Sequence, residues 1–418
     1  MEEKLLIEIN EKPKSLVRWL VLSFQHVFAM FGATVLVPLL TGLSVGVALV
    51  ASGVGTLIYI GVTKGKVPVY LGSSFAYIAA ISLAGQTTGF GSAFIGLMAV
   101  GIIYVVVATI IKFTGSAWIK RLLPPVVIGP VIIIIGLGLA NVAISNAGLD
   151  GESGIAIPLA AFVTFATVVA VSLLGKGFFR IVPFLIAILV GYVFSVAVGL
   201  VDITTVFNTY SFFQVPDFQF IGTYTLNFSA LLMFLPIAFV TIAEHIGDHT
   251  VLGEVTGKDF IEDPGLDKTI LGDGLATFVS ACMGGPANTT YGENTGVVAM
   301  TKVGSVYVVG VAAIIAIILG FLGYMQAFIN SIPAAVIGGM TIILYGLIAS
   351  NGVKVLIRAK INLSNMRNLI IMATMLVIGL GGALIPINEA ISLEGMSLAA
   401  TAGIILNLIL PRTENEEA

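Results

Sequence analysis

The feature that most limits how this chain can fold is where its positive charges lie. Apolar runs of about the length a membrane-crossing helix needs, ~20 residues, fall at 16–40, 44–63, 68–84, 91–111, 125–145, 155–174 and 179–200, then at 228–252, 269–284, 286–301, 304–325, 331–353, 368–387 and 396–411. With the residues before the first run set in the cytoplasm and sides alternating thereafter, all 19 Lys and Arg fall on the cytoplasmic side, from Lys4, Lys12, Lys14 and Arg18 to Arg412. The opposite loops hold only acids: Asp150, Glu152, Asp202, Asp217, Glu389 and Glu394. Lys and Arg are biased to cytoplasmic loops in membrane proteins, and one missed or spurious crossing would scramble the sorting downstream. The expectation is an all-α polytopic protein of 14 transmembrane segments in the cell membrane, with both termini cytoplasmic. The first residues mix Glu and Lys and lack a short apolar core ending in small residues, so no cleavable signal peptide is expected.

Only 10% of the residues are Asp, Glu, Lys or Arg, against about 25% in a soluble domain. Such a balance excludes a soluble globule, a disordered chain and a nucleic-acid binder. One cysteine, Cys282, excludes an internal disulfide.

The two halves echo each other. Residues 124–129 read Pro-Pro-Val-Val-Ile-Gly and residues 333–338 read Pro-Ala-Ala-Val-Ile-Gly. Gly136, Leu137 and Asn141 recur in the same order as Gly346, Leu347 and Asn351, and at another common offset His26, Pro68 and Phe75 fall on Glu244, Pro286 and Glu293. Seven segments per half is an odd number, so the second copy enters the membrane from the opposite face. Inverted repeats of this kind are a transporter architecture with a site near the midplane.

Segments 3 and 10 are too short for plain helices. Pro68–Leu83 and Pro286–Thr301, as sixteen-residue helices, reach only ~24 Å of a ~30 Å hydrocarbon core. Their first halves are rich in Gly, Ser, Thr and Asn; with ~5 residues extended at ~3.3 Å each, the segments span. Extended backbone at that depth persists only when buried in protein or lining a cavity. Two such stretches at matching repeat positions are expected to pair as short antiparallel strand-like halves, each leading into a helix that starts near Phe75 and Glu293. Unpaired N–H groups at those helix starts suit carbonyl oxygens or negative charge.

Ionisable groups at membrane depth are functional candidates by default, and here they are few: His26 in segment 1, Glu244, His245, Asp248 and His249 in segment 8, Asp273 early in segment 9, and Glu293 in segment 10. No Lys or Arg joins them. Desolvation without a cation disfavours an ionised carboxylate, so such acids can take up and release protons or accept hydrogen bonds from substrate N–H groups. The set fits a neutral, N–H-rich substrate moved with protons or another cation. Glu244 and Asp248 share one helical face and His245 and His249 another. The expected roles are substrate ligand for Glu244, proton carrier or supporting partner for Asp248, a satisfied packing bond for the histidines, and a helix-start cap for Asp273. His26 is open between the site and a structural bond. Tyr291 and Phe75 offer an aromatic wall for a flat ring. No His-Glu-x-x-His pattern, nucleophile–base pair or cofactor motif is present, so neither an enzyme nor a metal or cofactor is expected.

Four stretches carry a family likeness: Gln25-His26 with Phe28-Ala29-Met30-Phe31-Gly32-Ala33; Tyr70-Leu71-Gly72-Ser73-Ser74-Phe75; Ala243-Glu244-His245-Ile246-Gly247; and Asn288-Thr289-Thr290-Tyr291-Gly292-Glu293-Asn294. In this order the chain resembles the nucleobase–ascorbate transporter family, the nucleobase:cation symporters, and most nearly its bacterial uracil–proton symporters. The resemblance implies a core domain at 15–115 and 228–325, a gate domain at 116–200 and 331–411, and an extracellular linker at 201–227. It implies a base held by the carboxylates of Glu244 and Glu293 and the backbone N–H groups of Phe75 and Gly292, within a pocket completed by Ser74, Tyr291, Ala33 and Tyr345. It implies proton coupling through Glu244, Asp248, His245 and His26, inward symport of uracil by alternating access, and a homodimer. Two N–H donors and two carbonyl acceptors in the plane of uracil complement two carboxylates and two N–H groups. Purine and xanthine members tend to carry Gln where Glu293 stands, which favours a pyrimidine. In one departure, Asp248 stands where some members have histidine, with His249 one step later, and the coupling group is left open. The rivals are a purine or xanthine carrier of the same fold and an anion exchanger or channel; the latter calls for a cationic pocket that the charge sorting withholds.

Overall fold

In lipid, a helix satisfies every backbone polar group from within its own segment, and the apolar runs fold accordingly. In the computed structural model, residues 5–411 are described except 152, 209, 389 and 390. Lys4, Glu152, Glu389 and Arg412 of the charge sorting lie outside the described residues, as do the side chains of Lys120, Arg121 and Glu394.

The chain opens with α1 (Leu16–Thr41), α2 (Val45–Val62), strand β1 (Leu71–Ser73), α3 (Ile78–Thr87) and α4 (Phe90–Thr114). Ser15 caps α1 by accepting from the Arg18 N–H at 3.3 Å, Ser44 caps α2 by accepting from Val47 at 3.4 Å, and Gly42 ends α1 at φ +82°. Then follow α5 (Ala117–Leu122), α6 (Pro125–Leu137), α7 (Ala140–Asn146), α8 (Ala156–Leu174), α9 (Pro183–Ala197) and the short α10 (Ile203–Asn208). The rest comprises α11 (Phe228–Thr256), α12 (Leu266–Cys282), β2 (Asn288–Thr290), α13 (Gly292–Thr301), α14 (Val306–Gly320), α15 (Gly323–Asn330), α16 (Ala334–Arg358), α17 (Met366–Leu380), β3 (Leu384–Asn388), β4 (Ile391–Glu394) and α18 (Gly395–Ile409).

The heaviest packing gathers around α12 and around α16. Helix α12 lies on α4 and α2, α14 on α2 and α1, and α11 on α4. Helix α16 lies on α6, α7 and α8, while α17 packs on α18 and α6. Close approaches use small residues: α12 and α4 meet at Gly274 and Gly101, and α6 and α16 meet at Gly129 and Gly352, as expected where helices associate by packing in lipid. Seven described stretches are long and apolar enough to cross a bilayer: α1, α2, α4, Pro125–Asn146, α8, Leu231–Thr256 and α16. The protein is a multi-pass membrane protein.

Several predicted boundaries move. The run 125–145 breaks into α6 and α7 around Gly138, and 304–325 breaks after Gly320. The run 368–387 is helical only to Leu380: Gly381 and Gly382, the latter at φ +68°, stop it, and Pro386 sits in a β3–β4 hairpin instead. Helix α12 begins at Leu266, so Asp273 is two turns inside it and is not a helix-start cap.

Candidate functional site

At the centre, β1 and β2 pair antiparallel, Leu71 opposite Thr290, Gly72 opposite Thr289 and Ser73 opposite Asn288. The pairing extends at both ends: the Ser74 N–H donates to the Ala287 carbonyl at 2.8 Å and the Tyr291 N–H to the Tyr70 carbonyl at 3.1 Å. Two such strands leave outer edges, and each edge is closed by one threonine from a neighbouring helix. Thr56 of α2 accepts from the Leu71 N–H at 3.0 Å, and its hydroxyl hydrogen is shared between the carbonyls of Ser52 at 2.8 Å and Leu71 at 3.3 Å. Thr277 of α12 accepts from the Asn288 N–H at 3.2 Å and donates to the Asn288 carbonyl at 3.0 Å. Backbone groups that lipid would leave unpaired are thus satisfied without water. Gly72 is required by close approach: a Cβ there would run into the Tyr291 ring and lie 2.7 Å from Thr34 Oγ1. The Tyr291 hydroxyl donates to the Ser73 carbonyl at 2.9 Å and accepts from Thr34 at 3.3 Å.

Each strand leads to a helix start. After Ser74 comes a 3-10 turn, Phe75–Tyr77, and then α3; after Tyr291, α13 begins at once with Gly292 and Glu293. The first N–H groups of a helix have no acceptor within it, and both starts therefore present donors next to the crossing. Glu293 is half-buried and lines a cleft shared with Phe28 and Ala33 of α1, Phe184 of α9, and Met340 and Leu344 of α16. Ala33, Tyr291 and Tyr345 belong to one buried cluster, with Phe75 packed against it. The hydroxyls of Ser74 and Tyr345 are buried without a hydrogen-bond partner. Such groups in a native structure call for an explanation.

Helix α11 brings the other acids. Glu244 lies within electrostatic reach of Asp273 and Glu293, and Asp248 within reach of all three. Asp248 also accepts from the Thr290 hydroxyl at 2.6 Å, tying α11 to β2. Among the described residues, no Lys or Arg forms an ion pair with any of them; the ion pairs are Lys66–Asp263 at 2.5 Å, on exposed side chains, and His245–Asp273.

The histidines do not share one role. His26 is met by Asn294 Nδ2, which donates to its carbonyl at 3.1 Å and lies 3.1 Å from its Nδ1. His245 Nδ1 lies 3.0 Å from Asp273 Oδ2, both fully buried. His249 Nδ1 lies 2.8 Å from the His245 carbonyl, an acceptor, so this nitrogen carries the proton and Nε2 is left to accept from the Tyr59 hydroxyl. The His245 and His249 rings stack at 4.0 Å. Thr56, Thr277, Thr290, Asn294 and Tyr59 were not singled out from the sequence. Lone hydroxyls in otherwise apolar spans, and an amide directly after Glu293, are the signals that point to them.

A bundle of apolar helices that crosses two extended segments at its centre and places acids beside them has the form of a solute permease. Residues 17–388 match the family model described as Permease family (Xan_ur_permease), and the chain belongs to that family. Among its relatives are the uracil permease of Bacillus caldolyticus, 48% identical over 98% of this chain and 95% of the relative, and that of Bacillus subtilis (strain 168), 46% identical over 96% and 94%. The uracil permease of Escherichia coli (strain K12) is 42% identical over 96% and 93%. These relatives are named as permeases, not enzymes. Two solved structures share the fold alone. The transmembrane domain of the cyanobacterial bicarbonate transporter BicA has a TM-score of 0.67 at 14% identity, over 96% of this chain and 100% of that one. The murine Slc26a9 anion transporter has a TM-score of 0.71 at 12% identity, over 96% of this chain and 69% of that one.

Proposed function

We propose that this protein carries uracil into the cell together with protons, by alternating access. The observation that carries the reading is Glu293 at the first turn of α13, lining the cleft with Ala33, Phe184 and Met340 and, among the described residues, with no Lys or Arg paired to it. Glu293 and Glu244 accept from the ring N–H groups; the N–H groups of Phe75 and Gly292 donate to the carbonyl oxygens. Ser74, Tyr291, Ala33 and Tyr345 close the pocket. Full-length relatives named uracil permeases support the choice of base.

The mechanism rests on a division into two domains, which the heavy packing around α12 and around α16 supports. The helices around α12 form a core (15–115 and 228–325), those around α16 a gate (116–200 and 331–411), and residues 201–227 link them outside. Fourteen segments, counting α13 with β2 and α3 with β1, form two inverted sevenfold repeats with both termini inside. A proton enters the Glu244/Asp248 cluster from outside, with His245 and His26 as supporting groups; uracil docks; core and gate shift against each other; and both solutes leave to the cytoplasm. A neutral pair of acids moves through the low-dielectric interior at far less cost than an ionised one, which is the physical basis for coupling. A homodimer places two such units side by side.

An anion exchanger is the reading that the fold neighbours raise. It needs a cation at the midplane, and among the described residues no Lys or Arg pairs with the acids here. The test is uptake of labelled uracil into proteoliposomes with an imposed pH gradient, repeated with Glu293→Gln. Acid outside should accelerate uptake, and the substitution should remove most of it. Uptake that ignores both would refute the assignment.

A further inference from the structure

We infer that the segment ahead of α1, Leu5–Ile9, is a positioning strap that holds the far end of α13 and thereby sets the carboxylate of Glu293. The inference rests on the uracil reading above. Along this segment burial alternates: Leu5, Ile7 and Ile9 are buried while Leu6, Glu8 and Asn10 are exposed. It runs parallel to the chain that leaves α13, with Ile7 bridged to Val303. The Leu6 N–H donates to the Lys302 carbonyl at 2.7 Å, Gly304 donates to Ile7 at 3.0 Å and Val306 to Ile9 at 2.9 Å. Ser305 Oγ adds a bond to the Glu11 carbonyl at 2.6 Å. Leu5 and Ile9 pack in one cluster with Val298 of α13 and with Leu252 and Phe260; Ile7 packs with Val303 and Val308. The seam continues beyond the strap, where Trp19 Nε1 donates to the Tyr307 carbonyl at 3.0 Å and Ser23 Oγ to that of Val308 at 2.9 Å.

Helix α13 needs such an anchor. It has ten residues, and its start is tied to the strand crossing. One of its faces is bare: Gly292 and Gly296 are exposed, with nothing within 4 Å of where a Cβ would stand. A short helix tied at its start and at Asn294 but unpacked along one face can still turn about its own axis while its far end is loose, and such a turn swings the Glu293 side chain relative to Glu244 and the Phe75 N–H. A strap that closes the free end pre-organises the site, and pre-organisation appears as affinity.

The test uses proteoliposome uptake of labelled uracil by the full chain. Ile7→Ser and the triple variant Leu5→Ser/Ile7→Ser/Ile9→Ser should raise the KM for uracil by about tenfold while turnover at saturation stays within about twofold; Ile7→Val should restore the KM. A segment that only supports folding would lower the amount of active protein and leave the KM unchanged, which would overturn the proposal. In a Cys282→Ser background, an Ile7→Cys/Val303→Cys disulfide fastens the strap; uptake should match that of the reduced protein, and a block on cross-linking would equally overturn it. If the unmodified protein takes up no uracil, the functional reading fails; if it does and the strap variants keep its KM, only this inference fails.

Discussion

The two crossing segments solve the same backbone problem and do opposite chemistry. Each is a three-residue strand whose free edge is closed by one threonine, Thr56 for β1 and Thr277 for β2. Beyond the strands they diverge. The first runs into Phe75 and a 3-10 turn, and its helix is set in an apolar cluster in which Tyr77 stacks on Phe234 and bonds Thr241 at 2.9 Å. The second starts its helix at Gly292 with a carboxylate next to it, keeps one face bare, and is held by polar bonds: Thr290 to Asp248, Asn294 to His26, and the strap bonds at its end. One half makes a wall and the other carries the charge. A single backbone geometry thus leads into apolar packing on one side and into polar bonds with an open face on the other.

Substitutions at matching places break or sharpen this contrast. The largest effect is expected at the helix starts. Glu293→Gln removes a charged acceptor, worth ~1.5–3 kcal/mol, and should lower uracil affinity by roughly 10- to 100-fold in a binding assay; Phe75→Leu should change it by less than about threefold. Equal losses would show that both units contribute side-chain chemistry. Next come the glycines. Gly72→Ala forces a Cβ into Tyr291 and should destabilise the protein by about 1–3 kcal/mol, visible as a lower melting temperature in detergent. Gly296→Ala meets open space and should hold stability or raise it by up to ~1 kcal/mol.

The two threonines should then behave alike. Thr56→Val and Thr277→Val each leave a buried N–H and carbonyl unpaired, at about 1–3 kcal/mol, and the melting shifts should agree. A shift confined to one of them would show that the two edges are not equivalent. The smallest effect belongs to Thr290→Val, which removes one hydroxyl from Asp248 at a cost of roughly 1 kcal/mol. Uptake should fall a few-fold, with its dependence on the pH gradient displaced, while Thr290→Ser should behave as the unmodified protein does.

Much of the site was legible in advance. Pro, Gly, Ser, Thr and Asn packed into two short segments marked the places where helix fails, and the acids without cations marked the candidate site. The reading of Asp273 failed for a definite reason: its distance from a predicted helix start depended on a boundary at 269, and α12 starts at Leu266. Three residues turn a cap into a buried partner for His245. The hairpin after α17 was missed because Leu384, Ile385 and Ile387 are apolar enough to extend a helical run, and apolarity alone does not separate strand from helix in short stretches.

Local chemistry was sufficient for some features, because they depend on transfer free energies and on spacing along one segment. Apolar runs had to enter lipid, cations had to stay out of it, and Glu244 and Asp248 had to share a face. Partnership across the chain depends instead on where separate helices come to rest. That Asn294 holds His26 and that Leu5–Ile9 seals the end of α13 follow from packing between segments hundreds of residues apart, where no spacing rule reaches and only the assembled bundle brings donor to acceptor.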